Sequence, residues 1–369
     1  MKNQTGSLEM VRHPNQKLVL DVIRRQEPIS RAQISKQLSL SRSTVSQIVD
    51  WLLVNHLVFE VGTQNTDVKT CGRPGQMLRF NPLSAYIVGL VLTARETTVC
   101  VAAMRGNPIF REEYPAVRDA EGVYQALCQV LESAGIEEGK VARLSVSVPG
   151  VANAEGKVRA SRLKWRNYDL PTQFAQYCSI PIHVNNDVNL ALIGERRFGL
   201  GGDHDNLVYL SLGTGIGCGI MCDGKMVLGS TFAAGEIQYL AFNATLDNDA
   251  PCARLEDVIG LNCFASYPGG FSGLIQRYTQ GDPQSSQVNE KFIRTLSTTI
   301  AFIISLLNPS LVIIGGRMGS DMEDIIEDVR EDVEKLTPYK TEIQLTSLKK
   351  NESCLLGAVA YALEQIDQE

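Results

Sequence analysis

The sequence lacks any apolar segment long enough to cross a membrane. Its longest stretch rich in apolar residues, 300–307, is far short of the roughly 20 residues that a membrane-spanning helix needs. The amino terminus also lacks the succession of basic, apolar and small residues that marks a signal peptide. We therefore expect a soluble cytoplasmic protein that makes no membrane contact.

Paired cysteines and clustered histidines are also lacking. The nine cysteines include no C-x-x-C pair, and only four histidines occur in 369 residues, the last of them at His204. This spacing suggests neither a disulfide framework nor a zinc ribbon. Most of the cysteines are expected to be small buried apolar residues.

An excess of positive charge is present only at the amino-terminal end. Residues 1–80 carry eleven Lys and Arg against six Asp and Glu, whereas the remaining residues are strongly acidic, in a chain of net charge −6. A basic segment attached to an acidic body is typical of a DNA-binding head, although an ordinary solvated surface can carry the same charge. The length allows two or three domains.

The first eighty residues have the apolar spacing of three short helices. Residues 17–25 form an apolar stripe that ends at the turn 26–28. Ser30 is suited to cap a helix over 31–38, and Ser41 or Ser43 a third helix that runs to about Asn55. The residues expected to face inward are Ala32, Ile34 and Leu38 in the second helix and Val45, Ile48, Val49, Leu52 and Leu53 in the third.

This arrangement predicts a helix-turn-helix with a polar outer face, although a three-helix hairpin without DNA affinity would show the same stripe. Short hydroxyls suit phosphate oxygens, and Arg and Gln can reach base edges in the major groove. Residues 57–62 and 76–80 read as two strands of a wing, and its loop is either a minor-groove arm or a flexible surface loop. The predicted DNA-binding residues are Arg31, Ser41, Arg42, Ser43, Thr44, Ser46, Gln47 and Arg73.

From residue 85 onward, strands and helices alternate, which predicts an α/β body. The expected strands are 85–92, 97–104, 142–148 and 182–186, and the expected helix is 120–134. Within residues 206–238, an apolar run turns at Gly213-Thr214-Gly215 and resumes, as in a β-hairpin. Glycines at four alternate positions, 213 to 219, leave one face bare for a ligand, although an ordinary hairpin is the simpler interpretation.

The hairpin and the downstream Ala234-Gly235-Glu236-Ile237 together resemble the ROK family of repressors, open reading frames and sugar kinases. Residues 30–53 and 72–82 also resemble the winged-helix head of its repressors, which its kinases lack. The resemblance implies an amino-terminal winged helix-turn-helix (1–81) on a two-lobed, actin-like α/β body (82–198 and 199–369). The C-terminal helix could pack back on the first lobe.

The same resemblance implies a sugar site. Asn186 and Asp187 match the family's Asn-Asp pair, Glu236 matches its Gly-Glu motif, and Glu256 matches a second glutamate. For the Asn-Asp pair, helix capping is the alternative role. Glu195 is expected to face solvent or form a salt bridge.

Departures from the family pattern argue against enzyme activity. Val91 and Thr93 stand where the family's first phosphate loop has an aspartate and a glycine. Without that loop a phosphoryl-transfer site is incomplete. The second phosphate loop, Gly213, Thr214 and Gly215, would then be vestigial and have no catalytic role. Tyr239 replaces the zinc-site histidine, and only Cys252 occurs in the matching loop, so neither zinc nor another cofactor is expected.

One further departure lies beside the sugar site, in residues 160–167, which otherwise look like a family run that contains a tryptophan. Arg162 stands where an asparagine contacts the sugar in the family. Trp165 could stack on a sugar, although a core position is the simpler expectation.

The resemblance implies a sugar-responsive transcriptional repressor that binds operator DNA and a sugar effector as a homodimer or higher homo-oligomer. Two alternatives remain open. One is an ATP-dependent sugar kinase with an accessory head, and the other is a DNA-binding protein whose body serves only as a dimerisation scaffold.

Overall fold

The structure is a computed structural model that describes residues 14–63, 76–242, 253–349 and 352–368. None of the helices in these ranges is long and apolar enough to cross a membrane. The predicted wing residue Arg73 and the loop residue Cys252 lie outside the described residues.

The amino-terminal part, residues 14–80, is called the head below. Its first helix begins at Pro14, earlier than the sequence predicted, and its strands form an antiparallel sheet in the order β1-β3-β2. The elements are α1 (Pro14–Gln26), β1 (Ile29–Ser30), α2 (Arg31–Leu38), α3 (Arg42–Val54), β2 (Val58–Thr63) and β3 (Gln76–Phe80).

The predicted caps of the second and third helices are confirmed. Ser30 and Gln33 form a reciprocal capping box at α2, and the Ser41 hydroxyl accepts a hydrogen bond from the Thr44 amide at 3.1 Å at α3. Ser41 rather than Ser43 is therefore the cap. The prediction for Ala32 is wrong, because this residue is exposed and only Ile34 is fully buried in α2.

A first mixed sheet follows the head, with the strand order β11-β7-β4-β5-β6. The strands and the helix predicted from the sequence are confirmed within a few residues. The elements of this part are β4 (Tyr86–Leu92), β5 (Glu96–Ala103), β6 (Pro108–Pro115), α4 (Ala120–Ala134), β7 (Val141–Val148), β8 (Val151–Ala152), β9 (Lys157–Ala160), β10 (Trp165–Asp169), α5 (Leu170–Phe174), β11 (Ile182–Asn186) and α6 (Asp187–Phe198).

A second sheet repeats this plan in the order β14-β13-β12-β17-β18. In both sheets, three antiparallel strands are extended by two parallel ones. The elements are β12 (Leu207–Leu212), β13 (Ile216–Cys222), β14 (Lys225–Met226), β15 (Ala241–Phe242), β16 (Ala253–Arg254), α7 (Leu255–Ile259), α8 (Gly270–Thr279), α9 (Pro283–Leu307), β17 (Leu311–Gly315), α10 (Ile326–Leu336), β18 (Glu342–Leu345) and α11 (Glu352–Gln368).

The C-terminal helix α11 packs on α6 and on the first sheet. The contact with α6 is made through two glycines. A methyl group on Gly194 would lie 2.0 Å from the Ser353 carbonyl oxygen, and one on Gly357 would lie 1.7 Å from the Leu190 carbonyl oxygen. Because these separations are far below van der Waals contact, only glycine lets the two helix backbones touch.

The same helix reaches the head. Its Asp367 carboxylate lies 2.9 Å from the Arg24 guanidinium of α1. A second ion pair joins Glu27 of the head to Arg105, and the Glu27 carboxylate also accepts the Phe80 amide at 2.5 Å. One continuous apolar cluster combines buried residues of the head, the first sheet and α11. The head is therefore packed on the body rather than tethered by a linker alone.

Candidate functional site

The predicted hairpin is confirmed as β12 and β13, which pair antiparallel from Leu207–Met221 to Leu212–Ile216. Its glycines do not all have the role predicted for them. A methyl group on Gly217 would lie 2.7 Å from Val188 Cγ2, and one on Gly219 would lie 3.0 Å from the Val188 carbonyl oxygen. The bare face of β13 therefore receives the first turn of α6 rather than a ligand.

The open part of the hairpin is its turn, Gly213-Thr214-Gly215. The nearest side chain is that of Arg162, which is exposed and donates from Nη1 to the Thr214 hydroxyl at 2.5 Å. A methyl group on Gly215 would lie 3.0 Å from Arg162 Nη2 and 3.7 Å from Glu256 Oε2. The sequence marked Arg162 only as a departure from the family pattern. In the structure it connects the segment before β10 to the turn between β12 and β13.

Asn186 is the N-cap of α6. Its Oδ1 accepts the amides of Val188 at 2.8 Å and Asn189 at 3.1 Å, and its Nδ2 donates to the Gly150 carbonyl at 3.0 Å. The capping role considered as an alternative for this residue is therefore real. One amide hydrogen remains for any further contact.

Asp187 begins α6, half-buried beside this cap. Burial raises the pKa of its carboxyl to about 6, the Val188 amide and the Arg162 guanidinium oppose the rise, and the nearby Glu236 carboxylate adds to it. Such a shift in a group with few protein partners is typical of a functional position, although structural carboxylates also show it. Of the predicted sugar residues, Asp187 and Glu236 are thus neighbours.

Glu236 is positioned by the glycine before it. Gly235 has φ +83°, and a methyl group there would lie 1.7 Å from the Cys218 carbonyl oxygen, while its own carbonyl accepts the Cys218 amide at 2.9 Å. Gly235 therefore fixes this loop on β13. The Glu236 carboxylate accepts a hydrogen bond from Gln238 Nε2 at 2.6 Å.

Glu256 lies in the first turn of α7. The segment after α7 is fixed to the hairpin, because the Leu261 amide donates to the Gly213 carbonyl at 2.8 Å.

The prediction for Glu195 is wrong. It is fully buried, and its carboxylate accepts hydrogen bonds from the hydroxyls of Ser353, at 2.7 Å, and Thr346. Glu195 therefore fastens the end of α6 to the start of α11.

Trp165 has the expected core position. It is 5% exposed, and its Nε1 donates to the Arg118 carbonyl at 2.7 Å. Arg118 in turn donates to the carbonyls of Ala94 at 2.6 Å and Arg162 at 3.4 Å. Arg118, which no sequence motif singled out, supports the backbone that carries Arg162.

The turn that matches the first phosphate loop is closed on itself. The Thr93 hydroxyl donates to the Glu96 carbonyl at 2.8 Å and accepts the amides of Arg95 and Glu96. Val91 is buried in the sheet. This turn therefore has no carboxylate at position 91 and no glycine among residues 93–95.

The structure supplies no set of zinc ligands in the described ranges, where no three His, Cys, Asp or Glu side chains are grouped to hold a metal. Tyr239 is 61% exposed and lies under the Arg254 guanidinium, 5.3 Å from the ring centre. The Tyr239 ring therefore forms a cation–π contact with Arg254.

In the head, most of the predicted DNA residues lie at the start of α3. Arg31 differs from the others, because its guanidinium lies 2.9 Å from Glu60 and 3.0 Å from Asp50. A DNA contact by Arg31 would have to compete with these carboxylates. Ser41, Arg42, Ser43 and Gln47 are exposed, and Thr44 and Ser46 are partly exposed.

Comparison with known sequences assigns the body to a family. The sequence profile described as "ROK family" matches residues 87–253 and 270–365. A xylose repressor of Caldicellulosiruptor bescii is 26% identical over 98% of this chain and 98% of its own. A xylose repressor of Bacillus subtilis is 30% identical over 65% and 62%, and the Escherichia coli dual regulator NagC is 22% identical over 97% and 94%.

Solved structures share the fold. A ROK family transcriptional regulator, a homologue of the Escherichia coli MLC protein, matches with a TM-score of 0.73 and 22% identity over 95% of this chain and 96% of its own. A ROK glucokinase from Streptomyces griseus matches with a TM-score of 0.63 and 21% identity over 76% of this chain and all of its own. The body is therefore a kinase-like α/β fold. Since the profile covers more than half of the chain, the protein belongs to the ROK family.

Proposed function

We propose that the protein is a sugar-responsive transcriptional repressor of carbohydrate-utilisation genes that works in the cytoplasm. The observation that carries this proposal is the extent of the matches. The Caldicellulosiruptor bescii xylose repressor and the Escherichia coli dual regulator NagC match 98% and 97% of the chain, head included, whereas the glucokinase is matched in full by only 76% of it. The unmatched quarter corresponds in size to the head, which a kinase does not need.

The head is proposed to belong to a winged helix-turn-helix domain that spans residues 1–81. The order of its elements, the Ser41 cap and the exposed polar start of α3 support this. Arg42 is at the first position of α3, where the amino-terminal residues of a recognition helix contact base edges. A homodimer would present two such helices to a two-fold operator.

The sugar is proposed to bind between two lobes, residues 82–198 and 199–369. Asp187, Glu236 and Glu256 would accept hydrogen bonds from its hydroxyls, with Asn186 mainly positioning Asp187 through the helix cap. The electrostatic proximity of Asp187 to Glu236 and the placement of Glu256 at the Gly215 turn support one shared site. Operator release by Asp187→Ala during a sugar titration tests both sugar binding and its effect on operator affinity.

Contacts between helices offer a route from this site to the head. Asp187 begins α6, α6 touches α11 through Gly194 and Gly357, and α11 ends at the Asp367–Arg24 ion pair. A sugar that binds one lobe arrangement more tightly than the other shifts the equilibrium between them. We infer that α6 and α11 pass this shift to the head.

Breaking the Arg24–Asp367 pair tests the route. Arg24→Gln is expected to leave the sugar affinity of the DNA-free protein unchanged. Saturating sugar weakens operator binding by a certain factor in the parent protein, and this factor should be up to about fivefold smaller in the variant. The reason is that a partly exposed ion pair contributes at most about 1 kcal/mol. Fluorescence anisotropy of labelled operator at zero and saturating sugar measures this factor.

The matched control is Arg25→Gln, because Arg25 is the exposed neighbour and makes no ion pair within the described residues. It should behave like the parent protein. The double exchange Arg24→Asp with Asp367→Arg should restore part of the response. An unchanged factor in Arg24→Gln would rule out this contact as part of the route.

A sugar kinase with an accessory head is the alternative function. Val91 is buried where the family's kinases have their metal-binding aspartate, and the self-bonded Thr93 turn has no glycine cradle, which removes most of the electrostatic stabilisation of phosphoryl transfer. We expect no sugar-dependent ADP formation from Mg-ATP in a coupled assay in which a glucokinase serves as positive control. ADP formation that disappears in Asp187→Ala would favour the kinase.

A further inference from the structure

A cavity of about 170 Å³ lies beside β11, the edge strand of the first sheet. It is bounded by the turn between β8 and β9, by β11, by α11 and by the loop that leads from β14 towards Glu236. None of the four predicted sugar residues, all of which the structure describes, lines it. The lining residues used below are Asn153, Glu155, His183, Asn185, Phe232 and Tyr361.

Phe232 has a backbone conformation that favours glycine. Its φ is +60°, a value that strains any residue with a Cβ and is unusual for a bulky one. Such a conformation persists only where the surrounding structure fixes it. Here the loop is closed by the Ala234 amide, which donates to the Leu228 carbonyl at 3.1 Å. The sequence therefore keeps an aromatic ring in the cavity wall at a cost in backbone strain.

Two polar groups in the wall have unused hydrogen-bonding capacity. His183 Nε2 is buried and has no hydrogen-bond partner among the described residues. Asn153 Oδ1 accepts the amides of Glu155 at 3.1 Å and Lys157 at 2.9 Å, whereas its Nδ2 donates to no group that the structure describes. Because a buried polar atom without a partner is costly, a ligand that pairs with these groups would be stabilised.

The cavity wall presents little net charge. The Glu155 carboxylate lies 2.7 Å from Lys157 Nζ, so its charge is already paired. Burial lowers the pKa of His183, and the charge of Arg143 lowers this pKa further, so the imidazole is neutral at pH 7. The wall therefore favours neither an anion nor a cation, and a neutral ligand fits it best.

The size and the chemistry of the cavity together indicate one small ring. An apolar cavity of about 150 Å³ binds a single benzene ring, so this cavity is too small for a nucleotide. Amide and imidazole groups pair with hydroxyls, and aromatic rings pack on the apolar face of a sugar. We propose that this cavity is a second ligand site, for a neutral monosaccharide that packs on Phe232 and Tyr361 and hydrogen-bonds to His183 and Asn153.

The cavity also lies between two elements of the proposed response. Phe232 belongs to the loop that leads to Glu236, and Tyr361 belongs to α11, whose Asp367 pairs with Arg24 of the head. A ligand in the cavity contacts both elements, so its binding is expected to change operator affinity. Binding to the cavity does not depend on the proposed function, whereas the effect on operator affinity rests on it.

Calorimetric titration of full-length Asp187→Ala tests the second site, because this variant lacks one acceptor of the first. The probes are D-xylose, D-glucose and N-acetyl-D-glucosamine, with adenosine as a ring of different chemistry. At least one of the sugars is expected to bind Asp187→Ala at the cavity and the parent protein at two sites. Adenosine is expected to bind neither protein.

Two further changes, each made in Asp187→Ala, locate the bound sugar. His183→Phe keeps a ring but removes Nε2, and Phe232→Gly removes the ring and relieves the strained φ. Each is expected to weaken sugar binding by about tenfold or more. Both should keep the thermal unfolding of Asp187→Ala, since neither breaks a hydrogen bond of the described structure. Asp223→Gly is the matched control, because Asp223 is exposed, has φ +49° and lies outside the cavity.

The outcomes separate this inference from the proposed function. If the sugars bind the parent protein at one site and Asp187→Ala at none, the second site is wrong and the proposed function stands. The second site is also wrong if His183→Phe and Phe232→Gly leave sugar binding unchanged, or if adenosine binds there in place of sugar. If sugar binds the cavity but never alters operator affinity, the site stands and the sugar-responsive repressor is wrong. If no sugar binds either protein, both are overturned.

Discussion

Asp187→Ala is expected to bind operator as tightly as the parent protein, yet to remain bound at sugar concentrations that release the parent. Removing the carboxylate leaves a sugar hydroxyl without its acceptor, which costs about 1–3 kcal/mol, or roughly ten- to a hundredfold in sugar affinity. The head is untouched by the change. Because a ligand shifts an equilibrium only by its differential affinity, weaker binding to the responsive state reduces release.

The variant is expected to fold. Burial holds the pKa of the Asp187 carboxyl at about 6, above its ordinary value, so any stability that this group contributes is present at low pH and is lost as the pH rises through about 6. At neutral pH, burial therefore disfavours the ionised carboxyl more than the Val188 amide and Arg162 favour it, so alanine is expected to cost little stability.

Operator release measured by anisotropy during a sugar titration checks this prediction. Asp203→Ala is the control, since Asp203 is exposed and makes no ion pair within the described part of the chain. It should respond as the parent does. Should Asp187→Ala release operator at the parent's sugar concentration, the effector binds elsewhere or does not exist, and the body acts as a dimerisation scaffold.

Arg42→Ala is expected to weaken operator binding by roughly ten- to a hundredfold. Arg42 is exposed at the start of α3, and one base contact from a recognition helix is worth about 1–3 kcal/mol. The Ser41 cap remains in place, so the helix itself should be retained. Thermal denaturation of the variant should therefore match that of the parent.

The salt dependence of Arg42→Ala identifies the kind of contact. If Arg42 reads a base, affinity for the operator should fall more than affinity for unrelated DNA; if it binds phosphate, both should fall alike and the salt slope should drop by about one. Arg95→Ala, an exposed arginine of the body, is the control and should change neither. Parental operator affinity in Arg42→Ala would show that α3 is not the recognition helix.

Local patterns in the sequence were sufficient for most of the secondary structure. The caps at Ser30 and Ser41, the bounds of α2 and the turn of the β12–β13 hairpin depend on residues only a few positions apart. Capping and turn formation are governed by such neighbours, so their signals are present in any short window. The ROK resemblance came from motifs of the same local kind.

The roles of individual polar and glycine residues were decided only by the tertiary structure. The sequence could not show that Gly217 receives α6, that Glu195 binds Ser353 or that Arg31 pairs with Asp50 and Glu60. In each case the partner is distant along the chain, and a free side chain and a paired one have the same local sequence. Whether a charge is available to a ligand depends on what the fold brings within about 4 Å of it, and for Arg162 the fold brings a threonine hydroxyl rather than a carboxylate.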